Sequence, residues 1–181
     1  MRKSQKSSIF PNLKCLTTAA MLTAISVIIG IFCKNFLNLG NGLYRITFEN
    51  LPIILTGILF GPMVGGVVGI SSDLVSYLLS SQVYPPNLIV TLGAFSIGFI
   101  SGFVSNHIVK KAGTLQAIAS AIPAHIVGSM IIKPIGLYQF YQWAVLWRIP
   151  LYFLIAPIEI LILCLLFKNP SFQRIVKSIK K

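Results

Sequence analysis

Long apolar runs separated by short polar stretches dominate the pattern of the chain. Four of these runs cover about residues 15–33, 88–109, 115–134 and 145–167. A helix rises 1.5 Å per residue, so each run is long enough to cross a hydrocarbon core of about 30 Å. The pattern therefore predicts an all-α integral membrane protein.

The segment between the first two runs is less regular. Residues 48–79 are apolar but are interrupted by Gly61-Pro62 and by Gly65-Gly66. One straight helix here would be too long for a bilayer, whereas two helices, 48–60 and 63–80, would each be short. The basic tails at both ends of the chain should face the cytoplasm, which requires an even number of crossings. We therefore predict six transmembrane helices with both termini cytoplasmic.

Composition and charge agree with a membrane location. The chain has 181 residues, of which 55% are hydrophobic and 10% charged, so we expect a single membrane domain over residues 1–181. The net charge of +12 is concentrated in the two tails, where cations meet the anionic lipid of the bilayer, and nucleic acid is not an expected partner. We predict a multi-pass protein of the cell membrane, of the bacterial plasma membrane type.

Four cations lie on the side predicted to face outward, against the usual trend: Lys34, Arg45, Lys133 and Arg148. The stretch from Lys133 to Pro150 adds several aromatic residues. Aromatic faces stack on flat rings and cations pair with carboxylates, so this rim suits a flat, anionic solute. The alternative is an aromatic belt at the membrane interface. The predicted substrate-binding residues are Arg45, Tyr77, His125, Lys133, Tyr138, Tyr141, Trp147 and Arg148.

His125 is included because an ionisable group near the middle of a membrane is a functional candidate. A neutral histidine bonded to a neighbouring helix is the competing interpretation. Asp73 and Glu159 are also deep in apolar helices and should be paired, neutral or functional.

The sequence offers little for catalysis. No P-loop is present, so the chain has no nucleotide site of that kind. His125 and Ser129 are one turn apart but lack a nearby acid or oxyanion loop, and the three cysteines are widely separated. We therefore expect no enzyme activity, no cofactor and no metal site. A self-sufficient secondary transporter remains an alternative, although no internal repeat supports it.

Small residues recur at four-residue spacing on two helices. Ala20 and Ala24 lie on the first, and Gly98 and Gly102 on the fourth. Such faces allow close helix approach within a membrane. They serve either packing inside the bundle or docking of another membrane subunit.

Several segments, which together span nearly the whole chain, resemble a known family. The short basic N-terminus, the Ala-x-x-x-Ala of the first helix and RITFENLPIILTGILFGPMVGGVVGISSDLVSYLL are similar to the S components of energy-coupling factor (ECF) vitamin transporters. The segment from Lys133-Pro134 to Pro157-Ile158-Glu159 most resembles the folate-specific S components. Riboflavin and thiamine S components are the alternatives.

The resemblance implies a six-helix bundle that binds folate or a related vitamin on the outer side. It also implies docking on a transmembrane T subunit that carries two cytoplasmic ATPases, with Ala20 and Ala24 facing the T subunit. Delivery would occur by toppling of the S component in the membrane.

Overall fold

The helices follow one another with short connections. A computed structural model describes residues 13–39, 44–79, 85–111 and 113–179, without the side chains of residues 38, 39, 44, 45, 177 and 179. The α-helices are α1 Leu13–Phe36, α2 Asn50–Phe60, α3 Pro62–Leu79, α4 Leu88–His107, α5 Thr114–Ala124, α6 Lys133–Tyr141, α7 Arg148–Lys168 and α8 Pro170–Ile179. A π-helix, His125–Ile132, joins α5 to α6, and a 3-10 helix, Gln142–Trp147, precedes α7.

The predicted all-α membrane class is confirmed by this architecture. The exception within the described ranges is a small antiparallel ladder, in which β1 (Asn38–Leu39) pairs with β2 (Tyr44–Arg45). By length and composition, α1, α3, α4 and the stretch Thr114–Lys168 can cross a membrane, and α2 is a shorter apolar helix.

The break between α2 and α3 has a local cause. Gly61 adopts a φ of 95°, a conformation that disfavours residues with a side chain, and its N–H still bonds to the Gly57 carbonyl at 2.9 Å. Pro62 then begins α3, where a helix tolerates the missing N–H. The two helices therefore remain separate and short, as the interrupted sequence predicts.

The stretch Thr114–Lys168 reverses direction near its middle. The helix that begins at α5 continues through the π-helix and α6 to Tyr141, beyond the predicted end at residue 134. Gln142 has a φ of 47°, which ends the helix. After the 3-10 turn, α7 packs back along α5 and the π-helix.

Glycines allow the central helices α3 and α4 to touch. A Cβ on Gly65 would lie 2.5 Å from the carbonyl oxygen of Gly98, so the two backbones are in direct contact. Ser101 and Ser105 of α4 donate hydrogen bonds to the α2 carbonyls of Ile54 and Ile58, at 3.4 and 3.1 Å. Gly98 and Gly102 are buried, so this small-residue face packs inside the bundle.

Apolar side chains also cover the outside of the bundle. Large hydrophobic residues that are more than half exposed include Ile28, Phe32, Leu78, Phe153 and Leu161. A soluble protein rarely exposes so much apolar surface, whereas lipid tails solvate it without penalty. The exposed surface therefore matches a bilayer.

Candidate substrate-binding site

A cavity lies between α1, α3, α4 and the start of α6. It encloses about 220 Å³ of space, part of which is open to the surroundings. Its lining combines charged and small residues: Ser26, Glu49, Ile53, Ser72, Asp73, Ala94 and Lys133. The helices that supply this lining are distant in sequence and meet because α3 and α4 pack so closely.

Lys133 is the cation of the cavity. It is 5% exposed, and its Nζ donates to Asn50 Oδ1 at 3.0 Å and lies 3.6 Å from Glu49 Oε1. Its aliphatic stem passes close to α4, where a Cβ on Gly93 would lie 2.7 Å from Lys133 Cγ. Gly93 therefore leaves the space through which the ammonium reaches the cavity.

Glu49 immediately precedes α2, so its carboxylate is close to the positive end of the helix dipole. Ser26 Oγ of α1 donates to the backbone carbonyl oxygen of Glu49 at 2.7 Å. The Glu49 backbone N–H donates to Thr47 Oγ1 at 3.3 Å. The backbone of Glu49 is thus held at the cavity wall from both its own chain segment and α1.

Asp73 provides a second carboxylate from α3. Thr91 of α4 donates to Asp73 Oδ2 at 2.7 Å. The neighbouring Ser72 is buried, and its Oγ has no hydrogen-bond partner within the described part of the chain. The cavity lining thus contains two acidic side chains and one lysine, and the carboxyl oxygens offer acceptors to groups that donate hydrogen bonds.

His125 and Glu159 form a separate buried pair. His125 Nε2 of the π-helix lies 3.0 Å from Glu159 Oε2 of α7, and both side chains are at most 1% exposed. The two atoms are at ion-pair distance, although their alignment is not that of a hydrogen bond. The π-helix directly follows Pro123-Ala124, and Glu159 follows Pro157 by two residues, so both helices are irregular near this pair.

Most residues of the predicted rim lie at the surface around α6 and do not line the cavity. The Arg148 guanidinium lies 5.6 Å from the ring centroid of Tyr141, in cation–π contact. Tyr138 packs edge-on against Trp143 at 5.7 Å, and Trp147 is 63% exposed. Of the residues predicted to bind substrate, Lys133 lines the cavity, whereas these aromatic residues and Arg148 form the surface around α6.

Two further predicted residues belong to other elements. Tyr77 is half-buried on α3, one turn after Asp73. Arg45 is in β2, and its backbone pairs with that of Asn38 in β1. The side chain of Arg45 lies outside the described structure.

Ala20 and Ala24 lie on the exposed face of α1. Another face of the same helix is buried and includes Ser26 and Gly30. The small-residue face of α1 is therefore available to a partner, in contrast to that of α4.

Sequence reasoning did not assign Glu49, Asn50 or Asp73 to the site. A signal for Glu49 was present, since an isolated acid directly precedes an apolar helix that is broken by Gly-Pro. Asn50 gave no signal, because a single amide at a helix start is ordinary. The roles of all three follow from their convergence on Lys133 and the cavity.

A bundle of apolar helices around a small polar cavity defines a membrane protein that binds a solute. The chain belongs to the family of substrate-specific components of ECF transporters, because the model for "ECF transporter, substrate-specific component" matches residues 14–179. It is a multi-pass protein of the cell membrane.

Two known proteins are similar to this chain. The folate transporter FolT of Clostridium novyi (strain NT) is 32% identical over 82 residues, which are 45% of this chain and 42% of that relative. The match thus spans less than half the length of either protein. A crystal structure of FolT bound with folic acid has the same fold, with a TM-score of 0.65 over 88% of this chain and 95% of that one, at 23% identity.

Proposed function

We propose that this chain is a folate-binding S component that captures the vitamin outside the cell. The observation that carries the proposal is the cavity with Glu49, Asp73 and Lys133. A pterin ring presents an amino group and a ring N–H as donors, together with carbonyl and ring-nitrogen acceptors. Two carboxylates and one ammonium in a mostly enclosed site complement that set.

The two ends of folate would occupy different surroundings. The cavity holds more negative than positive groups, so it does not suit the glutamate tail. The tail would lie toward the surface around α6, where Arg148 and the exposed aromatic residues lie. This arrangement assigns the ring to the cavity and the carboxylates of the tail to the rim.

The site would have to widen when folate binds. The 220 Å³ of space at this site includes space that is open to the surroundings, so the closed part is well below the about 300–1,000 Å³ that small-molecule pockets commonly enclose. Movement of the segment before α2, or of the turn after α6, would enlarge it. Folate would then pass to a transmembrane T subunit with two ATPase subunits, which supply the energy that this chain has no site to obtain.

The vitamin can be tested directly. The purified chain should retain folate that mass spectrometry detects, and calorimetry should show tight, one-to-one binding of folate. Thiamine and riboflavin are the comparison ligands, and thiamine is the stronger rival because its positive charge also suits a cavity rich in carboxylates. Binding of either rival without folate would show that the vitamin assignment is wrong. Binding of none of the three would contradict the proposed function.

A further inference from the structure

Gly30 lies on the face of α1 that supports the cavity. It is buried one turn after Ser26, whose hydroxyl holds the Glu49 backbone. Both residues therefore lie against the short segment that carries the Glu49 carboxylate. They are on a different face of α1 from the exposed Ala20 and Ala24.

The Glu49 carboxylate fills the space that a side chain at position 30 would need. A Cβ on Gly30 would lie 2.7 Å from Glu49 Oε2 and 3.3 Å from Ser76 Oγ. The first distance is too short for a real contact. The other carboxylate oxygen, Oε1, lies 3.6 Å from Lys133 Nζ. The carboxylate is thus enclosed between the bare backbone of α1 and the ammonium of Lys133.

We propose that Gly30 is a positioning residue for Glu49. By lacking a side chain, it lets the carboxylate sit against α1, from where it reaches both Lys133 and the cavity. A methyl group at this position would displace the carboxylate, which ends a flexible side chain and can move. The part of this inference that concerns ligand affinity rests on the proposed folate function.

Helix propensity distinguishes the positioning role of Gly30 from a general effect of this residue on the stability of α1. Alanine is favoured over glycine within a helix, so Gly30→Ala should not weaken α1 itself. A loss of affinity in this variant would therefore come from the displaced carboxylate. Gly113→Ala is a control for a glycine change away from the cavity, because Gly113 precedes α5 and a Cβ there meets nothing within 4 Å.

The first experiment measures folate affinity for Gly30→Ala, Glu49→Gln, the double variant and Gly113→Ala. Gly30→Ala should weaken binding about tenfold, the loss expected when a charge-assisted hydrogen bond is misplaced. The double variant should bind no more weakly than Glu49→Gln alone, since both changes remove the same interaction. The Gly113 variant should match the wild type. Additive losses, or unchanged affinity in Gly30→Ala, would overturn the proposal.

The second experiment needs no ligand. Lys133→Met removes the ammonium beside the partly buried Glu49 carboxylate and should lower the Tm of the purified chain, because a buried charge depends on its neighbouring opposite charge. In the Gly30→Ala background the same change should lower the Tm by less than half as much. Equal shifts in both backgrounds would overturn the positioning role. If the wild type binds no folate, the proposed function fails, whereas this comparison still decides the role of Gly30.

Discussion

Lys133 determines the charge balance at the cavity. It is buried next to Glu49 and Asn50, and burying an ammonium without partners would cost several kcal/mol. The neighbouring acid and amide offset that cost at the place where a ligand would arrive. Arg148 differs, since it lies at the partly exposed surface over Tyr141.

This difference predicts distinct effects of two substitutions. Lys133→Met should weaken binding of both folate and a pterin ligand without glutamate by about 10-fold to 100-fold, the value of a hydrogen bond to a charged group. Arg148→Ala should weaken folate binding by about tenfold but affect the glutamate-free ligand much less. Calorimetry with both ligands on both variants measures the four dissociation constants.

Control measurements establish that each variant is folded. The Tm and the gel-filtration profile of each variant should be compared with those of the wild type. Lys133→Arg tests whether another cation at this position preserves ligand affinity. Equal losses for both ligands in Arg148→Ala would mean that Arg148 maintains the shape of the rim. No loss for either ligand would leave it as an interfacial anchor.

At the level of elements, α1 serves two sides of the molecule. Its buried face meets Glu49 through Ser26 and Gly30, and its exposed face presents Ala20 and Ala24. Small side chains permit close approach of a second helix in lipid, because backbone contacts replace side-chain packing. We propose this exposed face as the docking surface for a T subunit.

Replacing Ala20 and Ala24 with Trp should block that approach. Transport by the complete complex should fall strongly, while folate affinity of the solitary subunit should change less than about threefold, because a substitution at one surface rarely alters the energetics of a distant site. Uptake assays and calorimetry on the same variant measure the two quantities. Ile25→Trp is the control, since Ile25 is on α1 and exposed but lies about 100° or more around the helix from Ala20 and Ala24. Loss of affinity with normal uptake would contradict docking at this face.

At the scale of the whole molecule, the chain is a binding bundle rather than a complete importer. Its helices surround a polar cavity near the start of α2 and of α6, and its family supplies the substrate-specific component of ECF transporters. A binding unit without a P-loop cannot couple ATP hydrolysis to movement of the solute by that route.

Proteoliposomes that contain this chain alone should therefore show no ATP-dependent folate uptake. Addition of a T subunit and two ATPases should produce ATP-dependent uptake, and the same complex with inactive ATPases should show none. Radiolabelled folate and filtration measure the rate in each case. Uptake by the chain alone, driven by an ion gradient, would instead identify a secondary transporter.

The sequence by itself determined the class and the arrangement of helices along the chain. Apolar length, the Gly61-Pro62 break and the basic tails depend on local properties, because hydrophobic transfer and backbone freedom act residue by residue. The family resemblance was also carried by contiguous residues, and the family match over residues 14–179 confirms it.

Only the tertiary structure decided which polar residues meet. Lys133 bonds to Asn50 across 83 residues of sequence, and Thr91 reaches Asp73 on another helix. The sequence grouped Lys133 with the aromatic residues that follow it, whereas the structure turns the lysine inward and leaves Trp147 exposed. The reason is geometric. The side of a helix that faces a cavity depends on how the helix is rotated and how deeply it packs against its neighbours. Close backbone contacts between helices, such as that of Gly65 with Gly98, fix this rotation and depth.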